Sequence, residues 1–469
     1  MNRSLIGKQI NKEMIDNLKS DTNALLSFLQ NQNDGIIIYT LGKLGRLENG
    51  YSREPLVSLL NNKNDDIRVL SIKNLAKIGD ISLLPTFIQY AHSDESTEVR
   101  RESVSAIGRL RDEKTVPILV EFLKDNDPKV VMQAIRGLLV FSEKEDVRNA
   151  LKKLIDHPNE LIQEVINKEL NGSLYKLDNS QNQVDFPNQL RNAIIHGDAK
   201  NALKHMPDES IHLTFTSPPY YNARDYSIYQ SYDEYLKFLE SIFKEVHRIT
   251  KAGRFFILNT SPIIIPRISR AHSSKRYPIP YDIHPLLIKM GWEFIDDIVW
   301  VKSEASVKNR NAGFLQHRKP LAYKPNAVTE MIMVYRKKFD RLIDWNIQQY
   351  SWDTVKKSKV LDKYETSNVW RIEPTFDKVH SAVFPIELCN RVIRLYSFVG
   401  DLVFDPFAGS GTVGRAAINL ERNFCLVEKE AKYVSRIKEE FNNNMNLFAC
   451  DNNYPKYFDL ENFIKSSNI

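Results

Sequence analysis

The chain has 469 residues, 42% of them hydrophobic, with 65 Lys+Arg against 59 Asp+Glu for a formal net charge of +6. That length predicts roughly three domains at about 150 residues each; no apolar run reaches the roughly 18 residues of a membrane span and no basic stretch followed by an apolar one opens the chain, so a soluble, cytoplasmic protein is expected. Cys389, Cys425 and Cys450 are neither paired by spacing nor grouped with histidine, which argues against a disulfide framework and against zinc, and no metal is expected.

Similar helical units begin at Ile67, Val99, Val130 and Leu161, with offsets of 32, 31 and 31 residues. Three show the pattern openly: Ile67-Arg68 leads to Leu75-Ala76-Lys77-Ile78-Gly79, Val99-Arg100 to Ala106-Ile107-Gly108-Arg109-Leu110, and Val130 to Ala134-Ile135-Arg136-Gly137-Leu138. The stretch ending Leu41-Gly42-Lys43-Leu44-Gly45 reads as an earlier copy. In each unit an apolar face at helical spacing closes on a small residue, and a loop leads to a second helix such as 116–123. Such units bury their faces only by stacking on one another, so residues 1–170 are expected to form an all-α solenoid. Across about residues 30–170 the pattern resembles short HEAT-like repeats. Arg68, Arg100 and Arg101 either line a concave surface or pair with Asp65, Asp66 and Glu98 nearby. The near-neutral charge of this third points to a protein partner or an accessory clamp on DNA rather than to a main DNA surface.

Residues 171–189 are rich in Asn, Gln, Ser and Asp and read as an interdomain linker. Beyond them strands and helices alternate, which predicts an α/β domain whose first part spans 190–302. A short strand over 192–195 ends in His196-Gly197-Asp198 ahead of a helix at about 199–204. A carboxylate just past a strand end faces the ligand crevice of such a sheet, so Asp198 is a candidate adenine or ribose contact, or else a simple helix cap. The alternating run Ile211-His212-Leu213-Thr214-Phe215 reads as a half-buried strand that stops at Thr216-Ser217-Pro218-Pro219-Tyr220-Tyr221-Asn222. Each proline fixes its φ, lacks an N–H and holds the residue before it extended, so this corner is rigid and presents acceptors without donors. The Ser217 hydroxyl and Pro218 carbonyl beside the Tyr220 ring suit a flat, amino-bearing ring such as a nucleobase. A helix over 232–250 is expected to end at Lys251-Ala252-Gly253 before a buried strand over 254–259. The next loop carries Arg267, Arg270, Lys275 and Arg276 with Tyr277, a mixture that suits a phosphate backbone. A helix at about 282–290 and a strand over 294–301 follow.

Periodicity weakens over 303–375, which is expected to be mostly a DNA-reading insert interrupted by one core strand at 330–335. Residues 303–378 hold 15 Lys+Arg and 9 Asp+Glu, most of the surplus of a C-terminal part that carries +7 against −1 for residues 1–180. Arg310, Arg318, Lys319, Lys356 and Lys357, interspersed with Tyr323, Tyr350, Trp352 and Tyr364, are the candidate duplex contacts. In the final part, 376–469, Leu402-Val403-Phe404-Asp405-Pro406-Phe407-Ala408-Gly409-Ser410-Gly411-Thr412-Val413 reads as a buried strand, a glycine-rich turn and a helix start. Glycines let a ligand approach the backbone, and the helix N-terminus offers N–H groups to an anion. The next strand, 423–427, ends in Glu428, 19 residues beyond Gly409, where an acidic residue holds ribose hydroxyls in nucleoside-cofactor folds.

Asp405-Pro406-Phe407-Ala408-Gly409-Ser410-Gly411-Thr412 resembles the S-adenosylmethionine loop of amino-directed DNA methyltransferases, and Ser217-Pro218-Pro219-Tyr220 resembles their catalytic corner. His380-Ser381-Ala382-Val383-Phe384-Pro385 and Trp300-Val301-Lys302 match as well, and the order of corner, recognition insert and cofactor loop is that of the beta group, over about residues 190–440. The resemblance implies a Rossmann-like methyltransferase domain with an inserted target-recognition region. It implies S-adenosylmethionine as cofactor, held by Asp405, Pro406, Phe407, Gly409, Gly411 and Thr412, with Glu428 on the ribose and Asp198 on the adenine side. Double-stranded DNA is the implied partner, its target base flipped out onto Tyr220, and the protein is expected at the nucleoid. Ser before Pro-Pro-Tyr implies N4 of cytosine as the target, within a restriction-modification system; N6 of adenine is the alternative on the same fold. A catalytically inactive DNA- or protein-binding scaffold is the reading of another class. No Pro-Cys pair is present, which speaks against methylation at C5 of cytosine.

Overall fold

In a computed structural model the chain divides into two compact units, Met1–Leu174 and Tyr175–Ile469. The structure describes residues 12–47, 51–171, 184–221, 229–265, 269, 271–306, 320–321, 326–364, 366–375, 383–443 and 454–467.

The first unit is helical. Long helices Asp65–Ile78, Thr97–Arg109, Pro128–Leu138 and Glu160–Asn171 alternate with shorter partners Leu84–Ser93, Val116–Phe122 and Glu145–Lys152, and their inward faces share one apolar core. Ile67, Val99 and Val130, which mark the repeat, are fully buried. The last repeat runs one residue later than its spacing predicts. Leu161 is 58% exposed, whereas Ile162 and Ile166 are fully buried, because 162 and 166, one turn apart, make up the inward face of that helix. Two helices touch where neither has a side chain: a Cβ on Gly108 would stand 2.9 Å from the Gly137 Cα. Arg68 is buried and grips Asp94 with two hydrogen bonds of 2.9 and 2.8 Å, while donating to the Asn62 carbonyl at 2.8 Å. Its partner is therefore the loop of the following repeat, not Asp65 or Asp66. Arg100 likewise donates to the Asp94 carbonyl at 3.0 Å, and Arg101 lies 4.0 Å from Glu98. Arg68 and Arg100 lock loops between repeats.

The second unit is built on strands β1 (Ala193–His196), β2 (Ile211–Thr216), β3 (Thr250–Thr260), β4 (Ile263–Ile265), β5 (Lys275–Tyr277), β6 (Trp292–Val301), β7 (Thr329–Lys337), β8 (Val369–Arg371), β9 (Leu402–Asp405), β10 (Asn423–Glu428) and β11 (Lys456–Asp459). Nine of them form one sheet in the order β11-β1-β10-β9-β2-β3-β7-β6-β8, and β4 and β5 make a separate hairpin. Among the described strands of the large sheet, β7 alone runs against the rest. Apolar cores cover both faces, as a largely parallel sheet requires. The C-terminal ends of β1, β10, β9, β2, β3 and β6 therefore lie along one edge with the start of β7, and this is the edge where such sheets bind ligands.

Two expectations change here. Helix Tyr232–Ile249 runs straight into β3, with no break at 251–253. Gly253, at φ +72°, instead bends the strand where its pairing to β2 jumps from Ile211↔Thr250 to Leu213↔Phe255. The segment 303–375 also contributes more to the core than an insert would. Besides β7 and β8 it supplies Asn346, which donates to the Ala252 carbonyl at 3.0 Å. It also supplies Tyr350, whose hydroxyl donates to Asp401; Asp401 pairs with buried Arg254. These residues close the N-terminal edge of β2, β3 and β9, opposite the ligand edge. Helix Trp352–Lys357 hangs from the same place, since Ser358 Oγ accepts the Val399 N–H at 2.8 Å.

Candidate active site

Thr216 ends β2 and Asp405 ends β9, two neighbouring parallel strands. Thr216 Oγ1 donates to Asp405 Oδ1 at 2.6 Å with both side chains buried, and the same oxygen accepts the Phe407 N–H at 3.0 Å. This contact fastens the Ser-Pro-Pro-Tyr corner to the glycine loop across 189 residues of sequence. Asp405 acts as a strut between the two motifs. Burial pushes its carboxyl up to about 7, against the opposing pull of the Thr216 and Phe407 hydrogen bonds.

The glycine loop is cinched to β10. Ala408 N–H donates to the Val427 carbonyl at 3.0 Å, and Gly409 N–H to Glu428 Oε2 at 2.7 Å. Glu428 Oε1 accepts the Glu430 N–H at 2.8 Å. Only 8% exposed, Glu428 has its carboxyl pushed up to about 7 by burial. Each of its oxygens keeps a further lone pair, so the group still offers acceptors to a pair of hydroxyls. Gly411, at φ +77°, opens the helix Thr412–Asn419 with Ser410 and Thr412 buried beside it. Pro406 is buried and Phe407 half-buried, its ring 6.1 Å from that of Phe238. Asp198 caps helix Ala199–Lys204 by accepting the Lys200 N–H at 3.0 Å. It also stands one residue past Gly197, whose N–H donates to the Glu428 carbonyl at 2.9 Å, so Asp198 and Glu428 sit side by side. A turn without side chains, helix amides and an adjacent buried carboxylate suit a nucleoside with a charged tail.

The corner rests on a network that the sequence reading missed. Ser217, Pro219 and Tyr220 are half-buried and Pro218 is buried. The Tyr220 hydroxyl donates to Glu330 Oε2 at 3.3 Å; Asn259 Nδ2 donates to the same oxygen, and Lys302 pairs with Oε1. Asn259 Nδ2 also reaches Ser217 Oγ at 3.5 Å, and its own Oδ1 is buried without a hydrogen-bond partner among the described residues. Glu330 opens the antiparallel β7 and Lys302 follows β6, so both charges reach the ligand edge. The signal was a carboxylate at the head of an apolar strand, paired in topology with a lysine just past another.

Of the candidate DNA contacts, exposed Lys275 and Arg276 lie on the β4–β5 hairpin, which follows directly from the ligand end of β3. Tyr277 joins them to the corner: its ring lies 5.0 Å from Tyr221 and 4.5 Å from Tyr232. Lys356 and Lys357 belong to the helix at the opposite edge and are not brought to the site. Arg267, Arg270, Arg310, Arg318 and Lys319 lie outside the described residues, as do Asn222, Cys450 and His380-Ser381-Ala382. Among the described residues no group of His, Cys, Asp and Glu is placed to hold a metal, and no helix is long and apolar enough to cross a membrane.

Residues 211–439 match the model of the N6/N4 DNA methylase family, and residues 84–171 match HEAT repeats. The type II methyltransferase M.ScaI of Streptomyces caespitosus is 32% identical over 245 residues, 49% of this chain and 76% of that protein. M.Cfr9I of Citrobacter freundii is 27% identical over 294 residues, 55% of this chain and 91% of its own length. M.MwoI of Methanothermobacter wolfeii is 29% identical, with only 35% of it covered. Among solved structures, a DNA modification methylase of Thermus thermophilus complexed with S-adenosyl-L-methionine is 26% identical, covering 54% of this chain and 95% of that one, at a TM-score of 0.41. At that score the likeness supports no conclusion by itself. With the corner and the glycine loop joined at one sheet edge, and a type II methyltransferase matched over three quarters of its length, the chain belongs to the amino-directed (N6/N4) DNA methylase family.

Proposed function

We propose that this chain moves a methyl group from S-adenosylmethionine to the exocyclic N4 amine of a cytosine flipped out of duplex DNA, as the modifying half of a restriction-modification system. The observation that carries the reading is the Thr216–Asp405 hydrogen bond, which sets an amine-gripping corner beside a nucleoside-binding loop. The cofactor, when bound, supplies an electrophilic methyl on a sulfonium centre. Glu428 would accept from the ribose hydroxyls, the backbone at Gly409 and Gly411 would hold the methionine end beside Phe407, and Asp198 would stand on the adenine side. An aromatic amine is a poor nucleophile because its lone pair is delocalised into the ring. Ser217 Oγ and the Pro218 carbonyl hold its two N–H bonds, so that the nitrogen turns its lone pair toward the methyl. Tyr220, fixed through Glu330, offers the displaced base a stacking surface worth about 1–3 kcal/mol. Alignment is the main contribution asked of the protein, because the methyl is already activated.

Ser217 is the feature that favours cytosine; the same two acceptors also suit the N6 amine of adenine. Mass spectrometry of nucleosides from DNA treated with the protein and cofactor distinguishes them. N4-methylcytosine is expected, and N6-methyladenine in its place would overturn the choice of base while keeping the chemistry.

A further inference from the structure

No residue of the helical array is among those assigned to the candidate site, and the charges along the array's helices are sorted. Counting from the buried residue that starts each repeat, the sixth residue on is Lys73 after Ile67, Arg136 after Val130 and Lys168 after Ile162. The tenth is Lys77 in the first of these repeats and Arg109 after Val99, while Arg46 stands 31 residues ahead of Lys77 in the preceding copy. Positions four apart share a helix face, so successive repeats place Lys73, Lys77, Arg109, Arg136 and Lys168 along one face; these five are exposed, as is Arg46, which lies just past the end of its own helix at Lys43. Most carboxylates of these helices lie at the other end: Asp34, Asp65, Asp66, Glu98 and Glu160 occupy the first turns, while Glu102, Glu164 and Glu169 lie further along. The unit's near-zero sum thus conceals a basic rim and an acidic rim.

The rim is under-neutralised. Arg109 has Glu102 at 3.0 Å, but among the described residues Lys73, Arg136 and Lys168 have no carboxylate within ion-pair distance. Lys77 caps its surroundings through the Leu44 carbonyl at 3.0 Å and Asn74 Oδ1 at 2.8 Å. Its ammonium is held below the usual lysine range by partial burial and then by repulsion from Lys73 and Arg109. Complementing helix dipoles explains a base near a helix end, but not the stacking of uncompensated cations on one face through several repeats.

We propose that this rim docks the phosphate backbone of duplex DNA, giving the chain a second grip on its substrate. The inference rests on the reading of the chain as a DNA methyltransferase. Packed helices stand about 8–10 Å apart, about three nucleotides of rise on one strand at 3.4 Å each, so successive rungs can meet about every third phosphate of a single strand.

The test is anisotropy of a labelled random-sequence duplex bound by the full chain over a salt series, with the triple variant Lys73→Gln, Arg136→Gln, Lys168→Gln. Binding is expected to weaken about tenfold at physiological salt, with the slope of log affinity against log salt shallower by roughly 0.9 for each phosphate that the variant no longer neutralises. The charge-keeping set Lys73→Arg, Arg136→Lys, Lys168→Arg is expected to bind as the wild type does. Lys73→Glu alone is a milder second variant, expected to weaken binding about threefold with unchanged thermal unfolding. Wild-type affinity and slope in either neutralised or reversed variant would overturn the proposal and leave an acidic protein as the rim's partner. Methyl transfer is read separately: a wild type that binds with a steep salt slope yet transfers no methyl refutes the enzyme reading and leaves the rim standing.

Discussion

Replacing Thr216 with Val removes one hydroxyl at nearly constant volume and leaves the Asp405 carboxyl, 2% exposed, to the Phe407 N–H as donor. A buried hydrogen bond to a charged group contributes about 1.5–3 kcal/mol. For a unit of this size, Tyr175–Ile469, that corresponds to roughly 2–5 °C in its unfolding transition. The pH dependence follows from the sign of the interaction. Thr216 donates to the ionised carboxylate, and burial has already raised the folded pKa to about 7 from the ordinary 3.8. Losing the donor raises it further, so the penalty is complete above that value and shrinks as pH falls and the folded carboxyl takes up its proton. Differential scanning calorimetry of Thr216→Val should therefore show a large downward shift at pH 8.5 and a smaller one at pH 5.5, with Thr216→Ser close to wild type. Cofactor affinity should fall with the loosened loop. Equal unfolding temperatures at pH 8.5, or a shift that grows toward acid, would refute the strut role of Asp405.

Glu330→Ala should lower the methylation rate by about a hundredfold, as a misplaced catalytic geometry does, because Tyr220, Asn259 and Lys302 lose their common partner. Calorimetric S-adenosylmethionine binding is expected to stay near wild type, since none of the four residues belongs to the glycine loop. Cofactor affinity measured against pH should fall as pH drops through about 7, where Glu428 becomes protonated, and Glu428→Gln should bind more weakly with that dependence flattened. In the helical unit, Ile162→Ala should cost about 2–5 kcal/mol. Leu161→Ala, at an exposed position, should stay within about 0.5 kcal/mol in chemical denaturation.

Much of this architecture was legible because its signals are local. Strand, glycine turn, helix, strand and acid appear in order from Leu402 to Glu428, and the proline pair stops β2 where the structure stops it. The repeat was visible because a stacked array must bury the same positions in each unit, and its phase slipped by one residue only where Leu161 and Ile162 offered two apolar choices. Hidden features depended on partners far away in sequence. Gly253 reads as a helix terminator until Asn346 is seen where a Cβ there would stand, 2.6 Å from its Oδ1. Lys356 and Lys357 looked like DNA contacts by composition, whereas the fold sets their helix beside Val399 at the far edge of the sheet. Glu330 and Asn259 became visible as site residues only once β3, β7 and β6 were placed side by side.

The most direct measurement is transfer of tritiated methyl from S-adenosylmethionine to duplex DNA by the wild type and by Ser217→Ala, alongside cofactor binding and thermal unfolding of both. The wild type should label the exocyclic amine of a base. Ser217→Ala should lose about a hundredfold or more in rate, the scale at which a positioned acceptor acts, while binding cofactor and unfolding as the wild type does. A Ser217→Ala protein that labels DNA at the wild-type rate, or a wild type that binds both ligands and transfers nothing, would contradict the account.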